Sequence, residues 1–357
     1  KYSFHVKMEI QRSVHEICSL LISDCKSDSV SASQLENRLQ SLRTAVLLHG
    51  IDETEGRKEG KVVGVRGTVW KIMLGLSSVS ASEYINLVEQ KECAKYVTIR
   101  GDSFRTFTNA SEFQSVVAEP EIIRLLNSFV LRYQPDFNYC QGMNTICAPF
   151  LYVLPEVDAF FAFCNFVTQH FPLYWVSSHI GVQAGCLLVD AVLEHADLEL
   201  SQYLKQHSLQ AYIYAFSCVS SLSASVPPFS ELLKLWDFLL CFGIHLNVLC
   251  AAAQVISLRE KLLQSSTPKI ILDYRKWPAL DTAVIIPLVL KIRAKLPTKL
   301  YRQICSHGKD AAVASAITGR AMHLHSRNLS AEQSLKAVTM SAAALNGKAR
   351  PKSYNTL

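Results

Sequence analysis

Two short runs hold the side chains of this sequence that could do chemistry together. The first is Ile99-Arg100-Gly101-Asp102-Ser103-Phe104-Arg105, with an arginine three residues after an aspartate. The second is Tyr139-Cys140-Gln141-Gly142-Met143-Asn144, a glutamine in a turn-like run with a glycine behind it. An arginine stays charged and forks onto two phosphate oxygens. A glutamine amide can accept from water and donate to phosphate at once. Hydrolysis on a slow GTPase lacks these two things: positive charge on the γ-phosphate oxygens in the transition state, and a carboxamide that orients the attacking water. A supplied arginine is worth about 10³–10⁵ in rate, or roughly 4–7 kcal/mol of barrier. Arg105 and Gln141 are the residue types that would supply both to a nucleotide held by another protein, but the pairing of types alone is weak evidence, since any protein has an arginine and a glutamine.

Each of these residues also has a plainer reading. If their segment is helical, Asp102 and Arg105 share a face and make a surface ion pair worth about a few tenths of a kcal/mol. Gln141 reads equally as a capping or turn residue. Arg66, in Gly64-Val65-Arg66-Gly67-Thr68-Val69-Trp70, is a surface charge or a buried arginine that organises acidic residues. Spacing alone favours the surface charge.

Other chemistries are missing from the pattern. No GxxxxGK[ST] and no GxGxxG opening a helix occurs, so no nucleotide-binding loop is expected in this chain. GxSxG, HExxH and EF-hand patterns do not occur either. The 11 cysteines include no CxxC and, with the 11 histidines, no cluster of zinc spacing, so the expectation is buried, reduced thiols and no metal. The net charge of +6 comes without a long basic run, and nucleic-acid binding is not expected.

The elements that must position the two runs read as helices. Half the residues (49%) are apolar, which suits a large globular core. Apolar spacing predicts a helix over 9–22, and Ser33 with Glu36 reads as a capping box for a second helix that Gly50 ends. Residues 52–61 read as a charged, exposed loop. Trp70, Met73 and Leu74 share a helical face that ends at Gly75. Residues 82–97 read as one helix, and Gly101 as a turn just before Asp102. Glu119-Pro120 opens a helix with the stripe Ile122, Leu126, Phe129 and Tyr133, stopped at Pro135. Met143 to Val153 and Ala159 to Val167 are apolar enough to be buried. Shorter pieces are expected at 187–193 and 198–204, and final helices at 279–292 and 299–304.

Asp237 lies inside the apolar run Leu235-Trp236-Asp237-Phe238-Leu239-Leu240 and must find a partner there, with helix-to-helix pairing the expected answer. Residues 238–258 carry no Asp, Glu, Lys or Arg, yet Gly243 splits them into two core helices rather than one membrane span. Residues 1–10 do not read as a signal peptide. No strand alternation is evident, so the fold class is all-α. A helical arm and charged loop occupy 1–59, the main domain 60–308, and a weakly structured tail 309–357.

Four stretches together resemble the TBC-domain family of Rab GTPase-activating proteins. Ile99-x-x-Asp102-x-x-Arg105 is similar to its IxxDxxR motif, and Tyr139-x-Gln141 to its YxQ motif. Arg66-Gly67-x-Val69-Trp70 resembles its opening RGxxW element, and Leu235-Trp236-Asp237 its WD helix. The resemblance spans roughly residues 60–305. It implies a single large V-shaped multi-helix domain that supplies an arginine finger, Arg105, and a glutamine finger, Gln141, in trans. Asp102 and Arg66 would hold the arginine loop, and Tyr139 the glutamine loop. The partner would be a small GTPase of the Rab/Ras-like class, which itself binds GTP and Mg, so no cofactor is expected on this chain.

Within the family, Tyr139-Cys140-Gln141-Gly142-Met143-Asn144 and Ala148-Pro149-Phe150-Leu151-Tyr152 look most similar to the mitotic-exit and septation checkpoint branch. That branch implies a scaffold protein as co-activator and a cytoplasmic location, at the spindle pole or at membrane surfaces through the partner. Two readings compete with catalysis: a non-catalytic GTPase-binding scaffold of the same fold, and a membrane-associated adaptor built on the 238–258 run.

Overall fold

The computed structural model describes residues 14–23, 31–51, 63–76, 78–273 and 277–319, and these form helices and turns with no strand among them. The expected charged loop at 52–61 and most of the tail lie outside the described residues.

The site is built on three helices. Tyr96–Phe104 packs on Glu119–Tyr133, which packs in turn on Met143–Val153. The middle helix starts as its sequence suggests, with Pro120 in the first turn, where no N–H is needed. The Glu121 carboxylate accepts from the Ala118 N–H at 2.8 Å and closes that end. Ile122, Leu125, Leu126, Phe129 and Val130 fill its inner face. Met143–Val153 has nine of its eleven residues buried, which explains a run with almost no polar residue. Glu156–Asn165 packs on both Met143–Val153 and Glu119–Tyr133. Arg124 grips Glu156 through Nε at 2.8 Å and Nη2 at 2.7 Å, and the Tyr84 hydroxyl donates to the same carboxylate at 2.7 Å.

A second knot joins Val65–Met73 to Phe229–Phe242. Trp70, Phe150, Phe166 and Trp236 form an aromatic cluster with ring centroids 5.4–5.9 Å apart. Beside it, buried Asp237 accepts from Arg66 Nε at 3.1 Å on both oxygens and from Trp70 Nε1 at 2.7 Å. The helix-to-helix pairing expected for Asp237 is thus present. The helix Ala32–His49 packs on this Phe229–Phe242 helix, and Arg43 Nε donates to the Cys241 carbonyl at 3.0 Å.

Several boundaries differ from the sequence reading. The helix cap falls on Ser31, not Ser33: Ser31 Oγ accepts from the Gln34 N–H, and Gln34 Oε1 accepts from the Ser31 N–H. Residues 82–97 are not one helix. Ala81–Val88 ends, and Val97 belongs to the next helix, whose approach is fixed by the Cys93 N–H donating to Asn127 Oδ1 at 2.8 Å. Gly101 is not a turn but lies inside Tyr96–Phe104. The pieces expected at 187–193 and 198–204 are longer, Ile180–Ala196 and Leu198–Gln206. Residues 311–319, assigned to the tail, are helical, with Ala314 fully buried.

The apolar stretch 238–258 is split as expected. Phe229–Phe242 stops at Gly243, whose φ of +119° few other residues tolerate, and Asn247–Ser257 follows. No helix among the described residues is long and apolar enough to cross a membrane. All ten cysteines among them are free, eight buried and two half-buried.

Candidate functional site

The arginine run is the end of a helix. Ile99, Asp102 and Ser103 point into the protein, and Arg105 is the C-cap of Tyr96–Phe104. Its side chain is 59% exposed and held at one point, where Nη2 meets Asp102 Oδ1 at 2.5 Å. The other guanidinium nitrogens make no hydrogen bond among the described residues, so most of the fork is open to a ligand.

The glutamine run is a turn that feeds a buried helix. Gly142 takes a φ of +101° as the N-cap of Met143–Val153. A Cβ added there would meet nothing within 4 Å, so backbone conformation, and not crowding, calls for glycine. Gln141, just before it, is exposed, and its amide has no hydrogen-bond partner among the described residues. The next-door Cys140 thiol donates to the Trp175 carbonyl at 3.0 Å. Burial raises its pKa, which keeps it a packed thiol and not a nucleophile.

One hydrogen-bond network fastens the two runs together. The Tyr139 hydroxyl donates to Asp102 Oδ2 at 2.6 Å. Asp102 thus takes Arg105 on one oxygen and Tyr139 on the other. Burial, then the hydrogen bond to Asp102 and its charge, push the Tyr139 phenol well above its usual pKa of 10, so it stays a donor. Asn144 ties the backbone in. Its Nδ2 donates to the Asp102 carbonyl at 3.2 Å and to Thr106 Oγ1 at 2.9 Å, and its Oδ1 accepts from the Gly142 N–H at 3.2 Å. The Thr106 hydroxyl donates to the same Asp102 carbonyl at 2.9 Å.

The structure therefore brings Asp102, Arg105 and Tyr139 together and sets Gln141 two residues beyond Tyr139. It does not bring Arg66 to them. That guanidinium is buried, and its hydrogen bonds go to Asp237 and to the Ile51 carbonyl at 3.2 Å. It locks the amino-terminal segment to the Phe229–Phe242 helix and does not contact the arginine loop. Two site residues escaped the sequence reading, Thr106 and the role of Asn144. A polar Asn opening an apolar helix was the available signal, because a buried amide must find partners.

An exposed, half-free arginine and an unpartnered glutamine, carried on one rigid network, can receive a phosphate and a water brought by another molecule. The sequence profile of the family described as Rab-GTPase-TBC domain matches residues 64–263, more than half of the chain. The chain belongs to that family.

Relatives agree with its TBC assignment. A Dictyostelium discoideum protein named putative mitotic check point protein BUB2 is 38% identical, over 76% of this chain and 75% of its own length. Cell division control protein 16 of Schizosaccharomyces pombe is 35% identical, over 81% of this chain and 95% of its own. These relatives match the checkpoint and cell-division branch that the motifs resemble. The Ypt/Rab-GAP domain of Gyp1p superposes with a TM-score of 0.60 at 15% identity, covering 79% of this chain and 98% of that one, which establishes a shared all-α TBC fold. Membership in the TBC family implies a small GTPase as partner and supports a GTPase-activating role.

Proposed function

We propose that this TBC domain accelerates GTP hydrolysis on a Rab/Ras-like small GTPase by supplying Arg105 and Gln141 in trans. The observation that carries the reading is the single network through Asp102, Tyr139 and Asn144, which anchors both loops while leaving both functional groups exposed. The GTPase brings GTP and Mg. Arg105 swings its free N–H groups onto the γ-phosphate, where negative charge gathers in the transition state. The Gln141 amide oxygen accepts a hydrogen bond from the attacking water and orients it, while the amide NH2 donates to phosphate. Asp102 positions Arg105, and Tyr139 positions both loops. Residues 60–308 form the activating domain, flanked by the arm at 1–59 and the segment at 309–357.

Relatives with check point and cell division names support a setting in cell-cycle control. There the domain would work with a scaffold co-activator, at the spindle pole or on a membrane reached through its partner.

A panel of purified, GTP-loaded Rab- and Ras-class GTPases, assayed with and without this protein, tests the reading. Acceleration of at least one by about 10³-fold or more is expected. Binding of a GTPase without acceleration would leave the non-catalytic scaffold as the function.

A further inference from the structure

The two most exposed large apolar side chains among the described residues are Val97, 84% exposed, and Phe104, 75% exposed. Both lie on the Tyr96–Phe104 helix, which ends in Arg105. They are seven residues apart, two helical turns, and so share one face. Arg100 and Gly101 lie between them on that face, and both are exposed. The opposite face, with Ile99, Asp102 and Ser103, is buried.

Gly101 has no use inside the fold. It is helical with no positive φ, and a Cβ placed on it would meet nothing within 4 Å. Yet a glycine within a helix costs about 1 kcal/mol relative to alanine. A bare backbone between two exposed apolar side chains is space kept for something outside the molecule.

We propose that this face, Val97–Arg100–Gly101–Phe104, is where the GTPase docks, with Phe104 as the apolar anchor and Gly101 the point of closest approach. The proposal rests on the GTPase-activating reading above. The occupant follows from position. Phe104 and Arg105 are neighbours with Cα atoms about 3.8 Å apart, so whatever receives Arg105 at its γ-phosphate must cover Phe104. Charge agrees. Lys95, Arg100 and Arg105 are exposed along this helix, and the Lys95 charge reaches the Cys140 thiol beside Gln141. That basic edge suits a triphosphate and the loops its γ-phosphate orders. Because neither Phe104 nor Gly101 touches the nucleotide in this scheme, they select and hold the GTPase without doing chemistry.

The test uses the panel GTPase that the wild-type protein accelerates most. Single-turnover hydrolysis is followed against concentration of wild type, Phe104→Ala and Gly101→Ala, together with each protein's melting temperature. Phe104→Ala is expected to raise the half-saturating concentration about 10-fold or more, with the saturated rate within about threefold of wild type. Gly101→Ala should raise the melting temperature and also the half-saturating concentration. A purely structural glycine would not split stability and binding in this way. Wild-type half-saturation in both variants overturns the docking face while the activating reading stands. If wild type accelerates no GTPase, the activating reading itself fails and the docking face with it.

Discussion

The Tyr139 hydroxyl donates to the Asp102 carboxylate at 2.6 Å, across 37 residues of sequence, and joins the glutamine loop to the partner of the arginine. Asp102 is buried, so each hydrogen bond to its charge matters more than one at the surface. Tyr139→Phe keeps the ring and removes the bond. The expected cost is about 1.5–3 kcal/mol of stability, because a buried carboxylate oxygen loses its donor. Stimulated hydrolysis should fall as well, since both loops loosen together. Thermal melting and single-turnover rates check this. If neither changes, the network does not position the site.

Arg105 should behave as a functional residue and not as a structural one. Its side chain is mostly exposed and its single ion pair goes to buried Asp102, which keeps its bond from Tyr139 in the variant, so Arg105→Ala should lower the melting temperature only modestly. The saturated stimulated rate should fall by about 10³-fold or more. Arg105→Lys should rescue little, since an ammonium cannot fork onto two oxygens. Lysine activity near wild type would count against the finger geometry.

The opposite pattern is expected at the Arg66–Asp237 pair. Both side chains are buried, and Asp237 also accepts from Trp70. Asp237→Ala strands the Arg66 charge in the core and should cost about 3–5 kcal/mol. At a temperature where the variant remains folded, its stimulated rate should match wild type. A rate loss without a stability loss would tie Arg66 to the arginine loop after all.

Acid should destabilise the protein through its buried histidines: burial lowers His170 and His245 to about 4, and His307, fully enclosed, is the one a variant can test. Its Nδ1 faces the Ile304 carbonyl at 2.7 Å and its Nε2 the Tyr174 hydroxyl at 2.9 Å, so the neutral ring donates through Nδ1 and accepts through Nε2. Complete burial lowers its pKa from 6.5 to about 4, with a smaller push from the His245 charge. Between those values the unfolded chain binds a proton that the folded one refuses. The stabilisation is whole above pH 6.5 and is lost as pH falls towards 4, about 3 kcal/mol from this group. Asp190 works in the other direction: burial raises its pKa to about 6, so its proton favours the folded state in acid. Melting temperatures between pH 7 and 5 should therefore fall in wild type and fall less steeply in His307→Gln. An unchanged slope in the variant would remove His307 as the cause.

The sequence shows its helices where a local rule decides them. Pro120 opens one helix, and Gly243 ends another because only glycine sits easily at that φ. It misleads where tertiary contacts decide. Ser33 reads as the cap because Glu36 follows it three residues on, yet the folded chain caps at Ser31 with Gln34. Residues 82–97 read as one helix, yet Val97 belongs to the next one and is exposed there. The arginine–aspartate pair is legible from its spacing. The Tyr139–Asp102 and Arg66–Asp237 bonds are not, because they join residues 37 and 171 positions apart with no local signature.

The central claim, that Gln141 orients water in place of the GTPase's own glutamine, is tested most directly on a GTPase variant. The responsive GTPase is given leucine at its own water-orienting glutamine, loaded with GTP, and mixed with saturating wild type or Gln141→Ala in a single-turnover assay. Substantial acceleration by wild type, lost with Gln141→Ala while the fold and GTPase binding are retained, is the predicted result. No acceleration of that GTPase variant by wild type, with the unmodified GTPase still accelerated, would contradict it.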